Sequence, residues 1–284
     1  MLVKGELGTY YAKIVGQGNK IFLLESGMMH THQQWNQLQT ALSKYGTIIS
    51  YDRLGYGQSG KSLLERASNQ QALECIDFLR ALNINQPIVM IAHSLGSYIA
   101  LLAQNYFPDW FSAIILLDPT HPRIEENYQK IFEKILYQYS TVMNFISRRK
   151  ILKSILFRKN DQENLYTNSK HWKTVLHEWD HLNDNNRQIK SLLNGKEKIQ
   201  TPVLVLTAGK QSGIFLSKKS KDAFFREVIK AHKGYADFSI QGKQVIIENL
   251  NHNKICGSNE ESCCIVEKEI INFINMVTPI KLGK

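Results

Sequence analysis

The 284-residue chain reads as an α/β protein, a mostly parallel central sheet flanked by helices with a helical segment inserted into it. Two observations lead there. Short apolar runs at 21–25, 47–51, 88–92 and 113–117 alternate with helical patterns at 69–82 and 95–107, the second stopping before Pro108. That is the rhythm of β-α-β units, whose strands are buried on both faces of a parallel sheet. The rhythm then breaks off, because residues 123 to about 198 hold no convincing strand and read as amphipathic helices rich in Tyr, Phe, Lys and Glu. It resumes with PVLVLT at 202–207 and QVIIE at 244–248, and the chain closes on a helical pattern at 266–277. The expected organisation is a core formed by residues 1–122 and 199–284, with a helical cap at 123–198.

Composition agrees with a globular chain: 43% hydrophobic, 21% charged, 17 Gly. No apolar run approaches the roughly 20 residues of a membrane-spanning helix. The amino-terminal stretch lacks the apolar core and small-residue cleavage site of a signal peptide, so a cytoplasmic location is expected. Cys75, Cys256, Cys263 and Cys264 make no disulfide framework in a chain this long, and reduced thiols are expected. The net charge of +10 is dispersed and drawn mostly from Lys, which argues for a solvated basic surface and against a nucleic-acid partner. One segment, 147–159 (SRRKILKSILFRK), threads six positive charges through apolar residues. It suits either a helix with one face on the core or peripheral contact with anionic lipid.

The chemistry centres on AHSLG at 92–96, placed where the strand at 88–92 hands over to a helix. A serine on such a sharp turn needs small neighbours two residues either side, here Ala92 and Gly96. Ser94 is thereby raised at the carboxyl end of the sheet, where the Leu95 N–H faces a developing oxyanion. The segment PIVMIAHSLGSYIALLAQNYFPDWFSAIILLDPTHP, with ISYDRLGYGQSG at 49–60 and LLESGMMHTHQQW at 23–35, resembles the α/β-hydrolase superfamily. The three motifs arrive in that family's order and are specific to the fold, not to a substrate.

The resemblance implies a base and an acid for Ser94, in the order nucleophile, acid, histidine. His252 in ENLNHNK stands where the family's catalytic histidine is found; His93, His30, His32 and His121 are weaker candidates. The acid departs from the commonest pattern. Most relatives carry an Asp after the strand matching 202–207, whereas this chain reads TAGKQSG and has no carboxylate until Asp222. Asp118, in LLDPTHP, takes the place used by some lipase-like members, with Asp222 and Glu248 in reserve. The oxyanion hole implied by the family combines the Leu95 N–H with that of Met28, Met29 being one residue away. Asp52 and Arg53 are assigned to tying their turn to its neighbours.

A rival motif, His177-Glu178-Trp179-Asp180-His181, matches HExxH and would make a zinc peptidase with Glu178 as base. Asp180 puts a charge where uncharged residues are usual, and no third ligand follows at helical spacing. His252 with Cys256, Cys263 and Cys264 fits no zinc spacing, and no metal or organic cofactor is expected. The expected function is a serine hydrolase that cleaves a carboxylic ester of a small to medium apolar substrate through an acyl-enzyme. Amide, thioester or carbon–carbon cleavage would use the same triad. The alternative from another class is a ligand-binding or signalling protein with little turnover.

Overall fold

The computed structural model describes residues 1–124, 130–149, 168–195, 197–210 and 218–277. Eight strands, β1 Leu2–Lys4, β2 Thr9–Val15, β3 Ile21–Glu25, β4 Thr47–Asp52, β5 Ile88–His93, β6 Phe111–Leu117, β7 Val203–Lys210 and β8 Gly242–Asn251, form one sheet. Their order is β1-β2-β4-β3-β5-β6-β7-β8; β1 and β2 are antiparallel to their neighbours and every other pair is parallel. The central strands are buried at nearly every position, which is why they read as unbroken apolar runs. β2 instead alternates buried and half-buried residues, as an antiparallel flank with one wetter face does. Neither β1, buried only at its central residue, nor β2 carries the unbroken apolar run that marks a strand in the sequence.

Among the described residues eight α-helices carry the chain around the sheet: α1 Asn36–Leu42, α2 Ser68–Ala81, α3 Gly96–Tyr106, α4 Lys130–Ser147, α5 Ser169–Asp180, α6 Leu182–Leu193, α7 Lys218–Asp237 and α8 Glu260–Val277. One apolar layer joins Leu23, Met90 and Leu116 to Phe78 of α2, Ile99 of α3 and Tyr235 of α7. The opposite layer joins Leu24, Ile91 and Leu117 to Trp35, Leu38 of α1 and Phe273 of α8. Helix α6 is fastened to the first layer by Leu182 and Ile189, which are buried there. Polar ties add register: Tyr98 Oη donates to Asn186 Oδ1 at 2.7 Å, and Asn185 Oδ1 accepts the Ser68 N–H at 2.8 Å. Asn168 caps α5 by accepting from Lys170 and His171 N–H groups. Of the basic segment at 147–159, residues 150–159 lie outside the described residues; Arg148 and Arg149 are exposed.

Parallel register brings the strand ends together. Glu25 pairs with Ala92, His93 with Leu117, and Leu117 with Leu206, so the turns leaving β3, β5, β6 and β7 share one edge. In open α/β sheets that carboxyl edge is where ligands bind.

Candidate active site

Between β5 and α3 the chain turns through Ser94 at φ 51°, the left-handed region that a non-glycine residue enters only at a cost of about 1–3 kcal/mol. The turn is held by its neighbours: Ser94 N–H donates to Leu117 O and Thr120 N–H to Ser94 O, each at 3.2 Å. Gly96 is required by close approach. A Cβ there would lie 2.7 Å from Ser26 O and 2.8 Å from Glu25 O, both backbone atoms. Gly96→Ala is expected to destabilise the protein by about 1–3 kcal/mol, read as a lowered thermal midpoint. Ser94 Oγ shares a hydrogen bond with Thr120 Oγ1 at 3.5 Å, and not with His252.

His252 follows β8 and is brought to Asp118, at the end of β6, across 134 residues of sequence: Nδ1 lies 2.7 Å from Asp118 Oδ2. The second carboxylate oxygen accepts the Ala208 N–H at 2.9 Å. Burial alone would raise Asp118, but the hydrogen bond and charge of His252, aided by His232 and the Ala208 N–H, outweigh it and hold the carboxyl below its usual range. An ionised Asp118 keeps the proton of a neutral His252 on Nδ1 and leaves Nε2 as an acceptor. Asp222, on α7, and Glu248, on β8, are both exposed; among the described residues Asp118 is the carboxylate bonded to His252.

The turn after β3 lies against Ser94, since a Cβ on Gly27 would stand 3.2 Å from Ser94 Cβ. Arg53 organises it. Its Nη1 donates to Ser26 O at 2.5 Å and its Nη2 to Gly27 O at 3.2 Å. Because a trans peptide directs its C=O and the next N–H to opposite sides, the Met28 N–H points away from Arg53. Gly27 N–H is taken by Gln34 Oε1 and Met29 N–H by Tyr56 Oη. Met28 and Leu95 N–H groups have no acceptor among the described residues. Asp52 ties its own turn by accepting the His32 and Gln58 N–H groups, each at 2.9 Å. Arg53 therefore does more than the sequence reading gave it.

One further site residue, Gln34, carried no sequence signal, and His93, a weaker candidate for the base, has a different task here. Gln34 Nε2 stands 2.7 Å from His93 Nδ1 and 2.8 Å from Cys256 Sγ, and His93 Nε2 stands 2.9 Å from His252 O. Burial, then the nearby His252 and His30, hold His93 well below the usual imidazole range, so it is neutral. With Gln34 donating to Nδ1, the His93 Nε2–H donates to the His252 carbonyl. The loop bearing His252 is thereby clamped to β5, the strand that leads into Ser94. His32 bonds to Asp52, and His121 accepts the Arg123 N–H, so both act in the fold.

The HExxH string is divided. His177 is exposed, His181 lies past the end of α5, and Glu178 is fully buried with its carboxylate occupied by Tyr56 Oη at 2.6 Å and Arg53 Nη2 at 3.3 and 3.4 Å. A carboxylate bound this way is not placed to serve as a base. Among the described residues no three His, Cys, Asp or Glu side chains are grouped to hold a metal ion. All four cysteines are free thiols, and Cys75, Cys256 and Cys263 are buried.

A serine on a left-handed strand-to-helix turn, in an eight-stranded sheet with one antiparallel end, defines a hydrolase-type α/β fold. A family model described as alpha/beta hydrolase fold matches residues 20–260, and the chain belongs to that family. It is 29% identical over 104 residues to the uncharacterized protein YqjL of Bacillus subtilis, covering 37% of this chain and 41% of that one. It is 28% identical over 128 residues to the karrikin insensitive 2 receptor IA of Petunia hybrida, covering 43% and 46%. The matched stretch thus spans under half the length of either relative. Among solved structures, the enol-lactonase from Burkholderia xenovorans LB400 superposes with a TM-score of 0.66 at 13% identity, over 97% of this chain and all of that one. Among the described residues no helix is long and apolar enough to cross a membrane.

Proposed function

We propose that the protein is a serine hydrolase that cleaves a carboxylic ester of a small to medium apolar substrate through an acyl-enzyme, without a cofactor. The observation that carries this reading is the 2.7 Å bond from His252 to a buried Asp118, beside a serine held at φ 51°. In the proposed reaction Ser94 Oγ leaves Thr120, gives its proton to His252 Nε2 and attacks the acyl carbon. The resulting oxyanion is received by the Met28 and Leu95 N–H groups. His252 then passes the proton to the leaving alkoxide, and water repeats the sequence to release the acid and restore Ser94.

Residues 123–198 serve in this reading as a cap that shapes the substrate pocket. Its support is an apolar cluster in which Met143, Trp172 and Val175 of the insert meet Tyr56 and the two methionines of the β3 turn. Alkyl groups suit such a lining. A second reading, a small-molecule binding or signalling protein with little turnover, is favoured by Ser94 resting on Thr120 and by the likeness to the karrikin receptor. A series of p-nitrophenyl esters from acetate to long-chain acyl separates the two. Turnover with an optimum at short or medium chains supports the hydrolase. Saturable binding of the esters without release of p-nitrophenol supports the second reading.

A further inference from the structure

Glu178 is the acidic residue of a string that resembles a metal motif, yet its surroundings give it another task. It projects from α5 of the insert and is wholly buried. A buried carboxylate persists only where donors surround it. The donors here are Tyr56 Oη at 2.6 Å and Arg53 Nη2 at 3.3 and 3.4 Å. Both of these side chains also hold the turn after β3. Arg53 binds the carbonyls of Ser26 and Gly27, and Tyr56 Oη accepts the Met29 N–H at 3.3 Å. The Arg53 guanidinium further lies over the Tyr56 ring, 4.7 Å from its centroid.

Three of the four residues 26 to 29, on either side of Met28, are thus bonded by two side chains, and Glu178 links those two from the insert. From the opposite side Arg53 is held by Glu25 of β3, at 2.8 Å, and Glu25 is in turn bonded by Tyr51. The guanidinium is gripped once by the sheet and once by the insert. The grip from the sheet fixes its place in the core. The grip from the insert fixes the direction of Nη2, the nitrogen that carries Gly27 O.

We propose that Glu178 is a positioning residue for the oxyanion donor: through Arg53 and Tyr56 it holds the Gly27–Met28 peptide with the Met28 N–H turned toward Ser94. The inference rests on the serine-hydrolase reading above and extends it, making the seating of the insert a condition for oxyanion stabilisation. Removing the carboxylate leaves Arg53 on Glu25 but takes away the anchor that holds Nη2 and the Tyr56 hydroxyl against the turn. The 27–28 peptide then gains freedom to rotate. A hydrogen bond that matters chiefly in the transition state is lost from kcat more than from KM.

The test uses the full chain with p-nitrophenyl butyrate as substrate and an alkyl trifluoromethyl ketone, which adds to an activated serine and places an oxyanion in the hole. Glu178→Gln is expected to lower kcat about 10- to 100-fold with KM within about twofold of wild type, while ketone inhibition weakens by a similar factor. Tyr56→Phe, which keeps the ring over Arg53, is expected to lose part of the same effect. Cooperative thermal melting confirms that each variant is folded, and if Glu178→Gln is not, Tyr56→Phe decides by the same readouts. The positioning role is overturned if the wild type is active and the folded variants keep both kcat and ketone affinity, or if the loss falls on KM alone. A wild type that neither hydrolyses the ester nor reacts with fluorophosphonate overturns the serine-hydrolase reading itself, and this inference with it.

Discussion

Ser94→Ala is expected to abolish ester hydrolysis, with a loss in kcat of about a million-fold. The size of the effect follows from the geometry. Ser94 alone sits on the left-handed turn at the carboxyl edge of β5, 3.2 Å from the place of a Gly27 Cβ and next to the Leu95 N–H. Thr120, whose hydroxyl shares the 3.5 Å hydrogen bond with Ser94, is not on that turn and cannot inherit the role. The substitution removes one hydroxyl from a strained position without opening a cavity, so the thermal midpoint should stay level or rise. Progress curves with p-nitrophenyl butyrate and a melting scan on the same preparation measure both halves. Activity that survives Ser94→Ala would move the chemistry elsewhere.

Asp118→Asn carries the second large effect, a fall in kcat of about 10⁴-fold with the fold retained. An amide can donate where the carboxylate only accepts, so His252 would be held in the wrong tautomer with its acceptor nitrogen turned to residue 118. The same variant reports on stability against pH. Asp118 is held below its unfolded range in the native protein, so its contribution is present above about pH 4 and is lost as pH falls through the depressed value. Wild type is therefore expected to lose stability on acidification more steeply than Asp118→Asn. Midpoints measured from pH 7 to pH 3 compare the two slopes, and parallel curves would mean that Asp118 is not stabilised as an anion.

The parallel strands were legible because a strand covered on both faces must be apolar throughout, as β5 is with all six residues buried. The antiparallel flank was not, because TYYAKIV of β2 is buried at only two of its seven positions and its apolar run is broken by Lys13. Helix α7 escaped because charged residues recur along KKSKDAFFREVIKAHKGYAD and interrupt the apolar stripe of Val228, Ala231 and Tyr235 that it buries. At the site, Ser94 was marked by its small neighbours, and His252 and Asp118 only by the resemblance to the hydrolase family, which implies a histidine and an acid at those places. Gln34 was invisible, since its partners His93 and Cys256 lie 59 and 222 residues away and a glutamine has no local pattern. Glu178 was visible for a misleading reason. Helical spacing placed His177 and His181 in a plausible metal register, and only the packing shows that the carboxylate between them faces Arg53 and Tyr56.

The central claim is that Ser94 is an activated nucleophile, and the most direct measurement is intact-protein mass after exposure to an alkyl fluorophosphonate, followed by peptide mapping. A single adduct on Ser94, absent from Ser94→Ala and slowed severely in Asp118→Asn, is the predicted result. No adduct on the wild type, or an adduct on a residue other than Ser94, would contradict it.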